Sequence, residues 1–267
     1  MVQLWSGIKE GIVMNILLSN DDGINSRGIL TLAERLEKDG HAVYVVAPDS
    51  NRSAVSHHIT MYNTNVLKQV AKNRWACSGL PADCVCIGLK SDLFNIKFDV
   101  VISGINEGGN LGTDIVYSGT CGGARQAVLD GIPGIALSVD PEEWTSECRK
   151  NLKYEALADF TAKNLELLIS LAKTEVPRIF VNVNAPSLDS YKGVKYCQSL
   201  CVRDYGDRLK IVEVEGRTES HFVPGGAIPR YDEKCDAHVV KEGYIALSRV
   251  YAEPLAAEIV DGMQFKL

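Results

Sequence analysis

The chain has no excess of positive charge, no long apolar run and no paired-cysteine motif, and each absence removes a class of function. Its 28 Lys and Arg are outnumbered by 34 Asp and Glu, for a net charge of −6. A nucleic-acid-binding surface is normally basic, so nucleic acid is not an expected partner. No apolar stretch approaches the roughly 20 residues that span a bilayer, which removes a membrane partner. The first 13 residues lack a basic start followed by a continuous apolar core, so they do not read as a secretion signal. They read as an extension, 1–13, ahead of a natural start at Met14. The eight cysteines include no Cys-x-x-Cys pair and no zinc-finger spacing. Several lie in apolar segments, where a free thiol behaves as a small hydrophobe. Reduced thiols and a cytoplasmic location are the expectation. Internal repeats and low-complexity segments are absent as well.

With 267 residues, 46% of them hydrophobic, the chain can bury the core of one large domain or of a domain with an appendage. Its most informative stretch runs from Asn15 to Gly23, where Ile16-Leu17-Leu18-Ser19 leads into Asn20-Asp21-Asp22-Gly23. This reads as a buried strand followed by a tight turn. Strand and helix signals then alternate to about residue 186. Ile29, Leu32, Ala33 and Leu36 recur at helical spacing before Gly40. Residues 41–48 and 98–104 read as further strands, and a glycine-rich loop over 104–119 leads to a helix ending at Gly131. Ile135 to Ser138 is a strand, Leu157 to Ala172 one long helix, and Arg178 to Val183 another strand. Uniformly apolar strands alternating with helices imply an α/β fold with a doubly wound, mainly parallel, Rossmann-like sheet. After Pro186 the pattern becomes strand-like with Gly and Pro turns, including 209–214 and 244–247, and a helix is expected over Leu255 to Asp261. The expected organisation is an α/β core over 14–190 and a C-terminal antiparallel ribbon or arm over 191–267, used in oligomerisation.

Two carboxylates at the carboxyl end of a parallel strand sit where open α/β sheets bind ligands. Side by side they repel, so they need a cation, a shared proton or water. A divalent metal is the favoured reading. Two more loops follow the next strands: Pro48 to Thr60, dense in hydroxyls and imidazoles, and Ser103 to Gly112, with Asn106 and Asn110. Carboxylate, hydroxyl and amide oxygens suit Mg²⁺ or Mn²⁺ rather than zinc. Tyr117-Ser118-Gly119-Thr120 opens the following helix, where backbone N–H groups and the helix dipole favour an anion such as a phosphoryl group. Taken singly, each feature also has a structural reading. Asp21 could cap a helix, Ser118 and Thr120 could do the same, and Asn106 and Asn110 are ordinary turn residues. His57 and His58 are adjacent and point apart, so at most one would reach the site.

The combination resembles the SurE family, the stationary-phase survival proteins. The resemblance rests on Ile16 to Gly23, on Val46-Ala47-Pro48-Asp49 with Arg52-Ser53, and on Ser103-Gly104-Ile105-Asn106 with Gly109-Asn110-Leu111-Gly112. Gly79 to Val85, Tyr117 to Thr120 and Asp236 to Tyr244 extend it across most of residues 14–250. The resemblance implies a metal-dependent nucleotidase that releases phosphate from nucleoside 5′-monophosphates, and from 3′-monophosphates and short polyphosphates in some members. It implies one divalent ion per subunit, Mg²⁺ or Mn²⁺, held by Asp21, Asp22, Ser53 and Asn106. Asp21 and Asp22 are then the catalytic pair, and Asn20, Asn110, Ser118, Gly119 and Thr120 line the substrate phosphate. It also implies a homodimer or homotetramer formed by exchange of C-terminal segments. The chain departs from the family at Leu80, where Thr is usual, at Gly122 and Gly123, where Ala is commoner, between Val212 and Arg230, and after Val250.

The expected chemistry is in-line attack by water that Asp22 orients or deprotonates, with an aspartyl-phosphate intermediate on either aspartate as the alternative. Three rival functions have requirements of their own. A phosphorylated receiver domain needs an acceptor Asp at the end of the third strand, where this chain has Ser103-Gly104, and such a module is about half this length. A nucleotide-binding protein without turnover would use the same loops, and a metal-dependent glycosyltransferase would consume nucleotide-sugars.

Overall fold

The computed structural model describes residues 12–254 except 142, 144, 224, 226 and 231–233. The expected helix over 255–261 and nearly all of the 1–13 extension lie outside the described residues. In chain order the elements are β1 (Asn15–Ser19), α1 (Arg27–Lys38), β2 (Ala42–Pro48), β3 (Leu67–Ala71), β4 (Arg74–Cys77), α2 (Pro81–Lys90) and β5 (Val100–Glu107). A 3₁₀ turn (Gly112–Val116), α3 (Gly119–Leu129), β6 (Gly134–Asp140), α4 (Ser146–Lys150), α5 (Glu155–Lys163), α6 (Leu165–Leu171) and β7 (Ile179–Pro186) follow. The C-terminal part carries β8 (Val194–Tyr196), β9 (Val202–Tyr205), β10 (Arg208–Val214), β11 (Arg217–Val223), β12 (Ala227–Arg230), α7 (Asp236–Lys241) and β13 (Ile245–Tyr251).

The main sheet has nine strands in the order β3-β4-β2-β1-β5-β6-β7-β13-β8. From β4 to β7 every pairing is parallel, and the apolar sequences of these strands fit a sheet buried on both sides. Ile29, Leu32 and Leu36 of α1 pack with Leu157 and Leu168 on one face. Cys84 and Val85 of α2 pack with Leu17 and Ala127 on the other. The sheet is therefore doubly wound and mainly parallel, with an antiparallel hairpin of β10 and β11 in the C-terminal part. Among the described residues no helix is long and apolar enough to cross a membrane.

Successive strands run outward from β1 through β2 to β4, and then from β5 to β7 on the other side. The chain thus reverses direction across the sheet between β1 and β5, the position at which such sheets open a crevice at their carboxyl ends. Close approaches build that edge. Gly28 lets α1 touch the strand, because a Cβ there would lie 1.9 Å from the Ile105 carbonyl oxygen. Gly104 has φ +136°, and a Cβ on it would lie 2.3 Å from the Leu137 carbonyl oxygen.

Several expectations change. The strand read as 98–104 continues to Glu107, with a register shift against β6 between Ser103 and Asn106, so Asn106 stands on the strand and the loop begins at Gly108. The helix read as one over 157–172 is two, α5 and α6. Asn164 joins them at φ −119°, and its side-chain amide donates to the Phe160 carbonyl at 2.8 Å, a local bond that competes with helix continuation. The boundary placed at 190/191 does not separate two sheets. Strand β13 pairs antiparallel with β7, and β8 pairs with β13, so residues from the expected arm complete the main sheet. Among the described strands, β9 to β12 form ribbons apart from it.

Candidate active site

The loops after β1, β2 and β5 meet at one edge of the sheet. Gly23, at φ +101°, turns the first loop so tightly against the second that a Cβ would lie 3.2 Å from the Ser50 backbone. The Ile24 N–H donates to the Pro48 carbonyl, and the Arg52 N–H donates to the Asp21 carbonyl at 2.6 Å. The second loop is thus hydrogen-bonded to the aspartate pair.

Asp21 is buried, and its carboxylate rests on the start of α3. The Thr120 hydroxyl donates to Oδ1 at 2.5 Å and the Thr120 N–H to Oδ2 at 3.2 Å. Gly119 permits this approach, since a Cβ there would lie 3.0 Å from the Asp21 Cβ. The positive end of the α3 dipole is therefore directed at Asp21. Asp22 is less buried; the Glu107 N–H donates to its Oδ2 at 2.9 Å, and the Asn51 amide reaches Oδ1 at 3.4 Å.

Two neighbouring buried carboxylates are electrostatically costly. Burial pushes the Asp21 carboxyl up, against the hydrogen bonds from Thr120. Burial, and then the Asp21 charge, push Asp22 to about 7. Arg149, ion-paired with Glu107, opposes that rise but does not cancel it. A cation between the carboxylates would relieve both effects.

The donor set fits a hard divalent cation. Asn106 donates its Nδ2 to the Gly108 carbonyl at 2.7 Å, which directs the amide nitrogen inward and leaves Oδ1 as the oxygen donor. Ser53 is exposed on the second loop, its N–H held by the Asn51 side chain at 3.0 Å. Among the described residues no group of three or more His, Cys, Asp and Glu is placed to hold a metal ion. Two carboxylates with neutral hydroxyl and amide oxygens suit Mg²⁺ or Mn²⁺, not zinc.

The residues expected to line a phosphate have other partners. Asn20 is fully buried, and its Nδ2 donates to the Gly23 carbonyl and the Ser26 hydroxyl, shaping the turn. The Ser118 hydroxyl caps α3 by accepting from the Cys121 N–H at 2.9 Å. Thr120 is fully buried against Asp21. The Asn110 N–H donates to Asn184 at 2.8 Å and its side-chain amide to Ser138 at 2.8 Å. The Asp21 carboxyl thus lies on the helix start, beside the residues expected to line a phosphate. Of the two histidines, His57 faces Gln126 on α3 at 2.8 Å and His58 is exposed.

Sequence reasoning missed the contributions of Thr120 as the Asp21 anchor and of the Glu107 N–H, which lie 99 and 85 residues from their partners. It also missed Asp83, which accepts from the Thr60 N–H and hydroxyl at 2.8 Å and from the Leu80 N–H at 2.9 Å. With Leu80 offering no hydroxyl, Asp83 alone caps α2 and ties down the far end of the second loop.

The family described as Survival protein SurE matches this chain over residues 16–206. A 5′-nucleotidase SurE of Treponema pallidum is 46% identical over 187 residues, 69% of this chain and 97% of the relative. One from Geobacter sulfurreducens is 38% identical over 244 residues, 90% of this chain and 88% of the relative. The crystal structure of a SurE protein from Aquifex aeolicus superimposes with a TM-score of 0.73 at 32% identity, covering 90% of this chain and 94% of that one. Matched in sequence over most of its length and in fold, the chain belongs to the SurE family of survival proteins.

Proposed function

We propose that this protein is a divalent-metal-dependent phosphomonoesterase that hydrolyses nucleoside 5′-monophosphates to nucleoside and phosphate, with 3′-monophosphates and short polyphosphates as further substrates. The observation that carries the reading is the Asp21–Asp22 pair, two carboxylates crowded at the switch point of the sheet and braced by Thr120 and Glu107. Relatives named 5′-nucleotidase SurE supply the substrate class. Asp21, Asp22, Ser53 and Asn106 are the proposed holders of one Mg²⁺ or Mn²⁺. Bound there, the ion supplies Lewis-acid polarisation of the phosphoryl group and a lowered pKa for water. The Thr120 hydroxyl and the α3 N-terminus hold Asp21 in place and oppose the rise that burial imposes on its carboxyl. Asp22, the more open of the two, orients the attacking water and takes its proton.

Phosphate release from a panel of nucleoside 5′- and 3′-monophosphates tests the reading. Release is expected to vanish with EDTA and to return with Mn²⁺ or Mg²⁺. Nucleotide binding without release under any metal would instead favour a binding protein, and turnover confined to nucleotide-sugars a glycosyltransferase.

The same reading includes a homodimer or homotetramer built through the C-terminal ribbons. Leu209, Ile211 and Phe222 lie on one face of the β10–β11 hairpin, 68%, 61% and 62% exposed. An apolar face of this kind on a two-stranded ribbon favours a protein contact. Light scattering on the intact chain is expected to give two or four subunits, and replacing Leu209, Ile211 and Phe222 together by Ser is expected to lower that number. A monomer at micromolar concentration would refute the assembly.

A further inference from the structure

Among the contacts by which the C-terminal part of the chain meets the loops of the site is a buried carboxylate. We infer that Asp236, the first residue of α7, is a positioning residue for the proposed metal site, holding the loop after β5 that orients Asn106. The inference rests on the metal-site reading above.

The Asp236 side chain is fully buried and accepts three backbone hydrogen bonds. Oδ2 takes the Gly112 N–H at 2.7 Å, while Oδ1 takes the Cys201 and Ala237 N–H groups, each at 2.9 Å. Gly112 closes the loop that starts at Gly108, and the backbone of that loop is held almost residue by residue. The Gly108 N–H donates to the Val139 carbonyl at 2.9 Å, Gly109 to Asp140 at 3.1 Å and Asn110 to Asn184 at 2.8 Å. Its first carbonyl, that of Gly108, is the acceptor that fixes the Asn106 amide. Asp236 holds the opposite end.

The junction is also close-packed. Gly112 has φ +58°, and a Cβ on it would lie 1.8 Å from the Cys201 carbonyl oxygen, which accepts from the Thr113 N–H at 3.0 Å. Leu111 is buried against Val239 and Val240 of α7. Downstream of Gly112 a single 3₁₀ turn leads to Ser118, Gly119 and Thr120, the cradle of Asp21. The Asp236 carboxylate therefore anchors the point from which the chain runs back to Asn106 and forward to Thr120. A carboxylate suits this place because it only accepts. An amide would turn an NH₂ group toward at least one of the backbone N–H donors in a closed space.

The test is Asp236→Asn in the full chain. Mn²⁺ binding is read by water-proton relaxation, loop order by hydrogen exchange, and turnover as kcat and nucleotide KM separately. The expected result is an Mn²⁺ dissociation constant raised about tenfold or more. Faster exchange at Gly112 and Cys201, a lower kcat and an unchanged nucleotide KM complete the expectation. Leu168→Ala, in the α6 core, serves as a destabilised control that keeps its Mn²⁺ affinity. Unchanged Mn²⁺ affinity in folded Asp236→Asn, or an equal loss in the control, overturns the proposal. Where Asp236→Asn does not fold, Val239→Ala loosens α7 against Leu111 and is expected to weaken Mn²⁺; unchanged affinity there overturns the proposal too. Wild type that binds Mn²⁺ without releasing phosphate sinks the nucleotidase reading alone, and wild type that does not bind Mn²⁺ sinks both.

Discussion

Asp22→Asn is expected to reduce phosphate release by on the order of 10³-fold or more, since it removes a proton acceptor and a charged donor together. The fold should survive, because Asn keeps the size of Asp and still accepts from the Glu107 N–H. Stability provides a second readout with its own sign. In the metal-free protein Asp22 holds its proton to about pH 7, whereas its ordinary value is 3.8. Folding therefore takes up a proton between those values, and stability falls as pH rises through that window. About three pKa units correspond to roughly 4 kcal/mol, an upper bound that includes the charge of Asp21. Metal-free Asp22→Asn should thus melt near wild type at pH 4 and several degrees above it at pH 8. Mn²⁺ should stabilise wild type more than the variant at pH 8. A folded Asp22→Asn with near-normal turnover would sink the assignment, and equal melting at both pH values would sink the electrostatic account.

Residues of the aspartate pair are legible because an apolar strand ending in Asp21-Asp22-Gly23 combines period, position and charge in nine consecutive residues. Nothing comparable marks β3. Its Leu67-Lys68-Gln69-Val70-Ala71 is mostly exposed on both faces, so no alternation separates it from a loop. Helix α2 is hidden for a different reason. Its buried side includes Cys84, Val85 and Gly88, and the last must be small because a Cβ would press to 2.5 Å from the Leu17 side chain. Small residues in that role weaken the apolar periodicity that signals a helix. The six-residue α7 is too short to show a period at all. Strand β13 reads as a strand from sequence, but its insertion between β7 and β8 near one edge of the nine-stranded sheet is a long-range pairing that local pattern does not encode.

The same limit applies at the helix start. Ser118-Gly119-Thr120 has the composition of an anion site, and Thr120 donates to the chain's own Asp21 carboxyl. Local sequence shows that donors are available and not which acceptor claims them.

Thr120→Val separates the two roles for that residue. Valine matches threonine in shape but cannot donate, so Asp21 would lose its 2.5 Å hydrogen bond and keep those from backbone N–H groups, the Thr120 N–H at 3.2 Å among them. If Thr120 acts by bracing a metal-holding carboxylate, Mn²⁺ affinity should fall about 10- to 100-fold, the usual cost of removing an outer-shell partner. Turnover at saturating metal should largely recover, and nucleotide KM should stay put. A phosphate-binding Thr120 would give the reverse pattern, a raised nucleotide KM with Mn²⁺ affinity intact. Thr120→Ser keeps the hydroxyl and should restore Mn²⁺ affinity close to wild type, despite losing a methyl group from a fully buried position. The three variants together measure whether the α3 start serves the substrate directly or through Asp21. The short bond to a buried carboxylate, on a residue with no exposed surface, argues for Asp21.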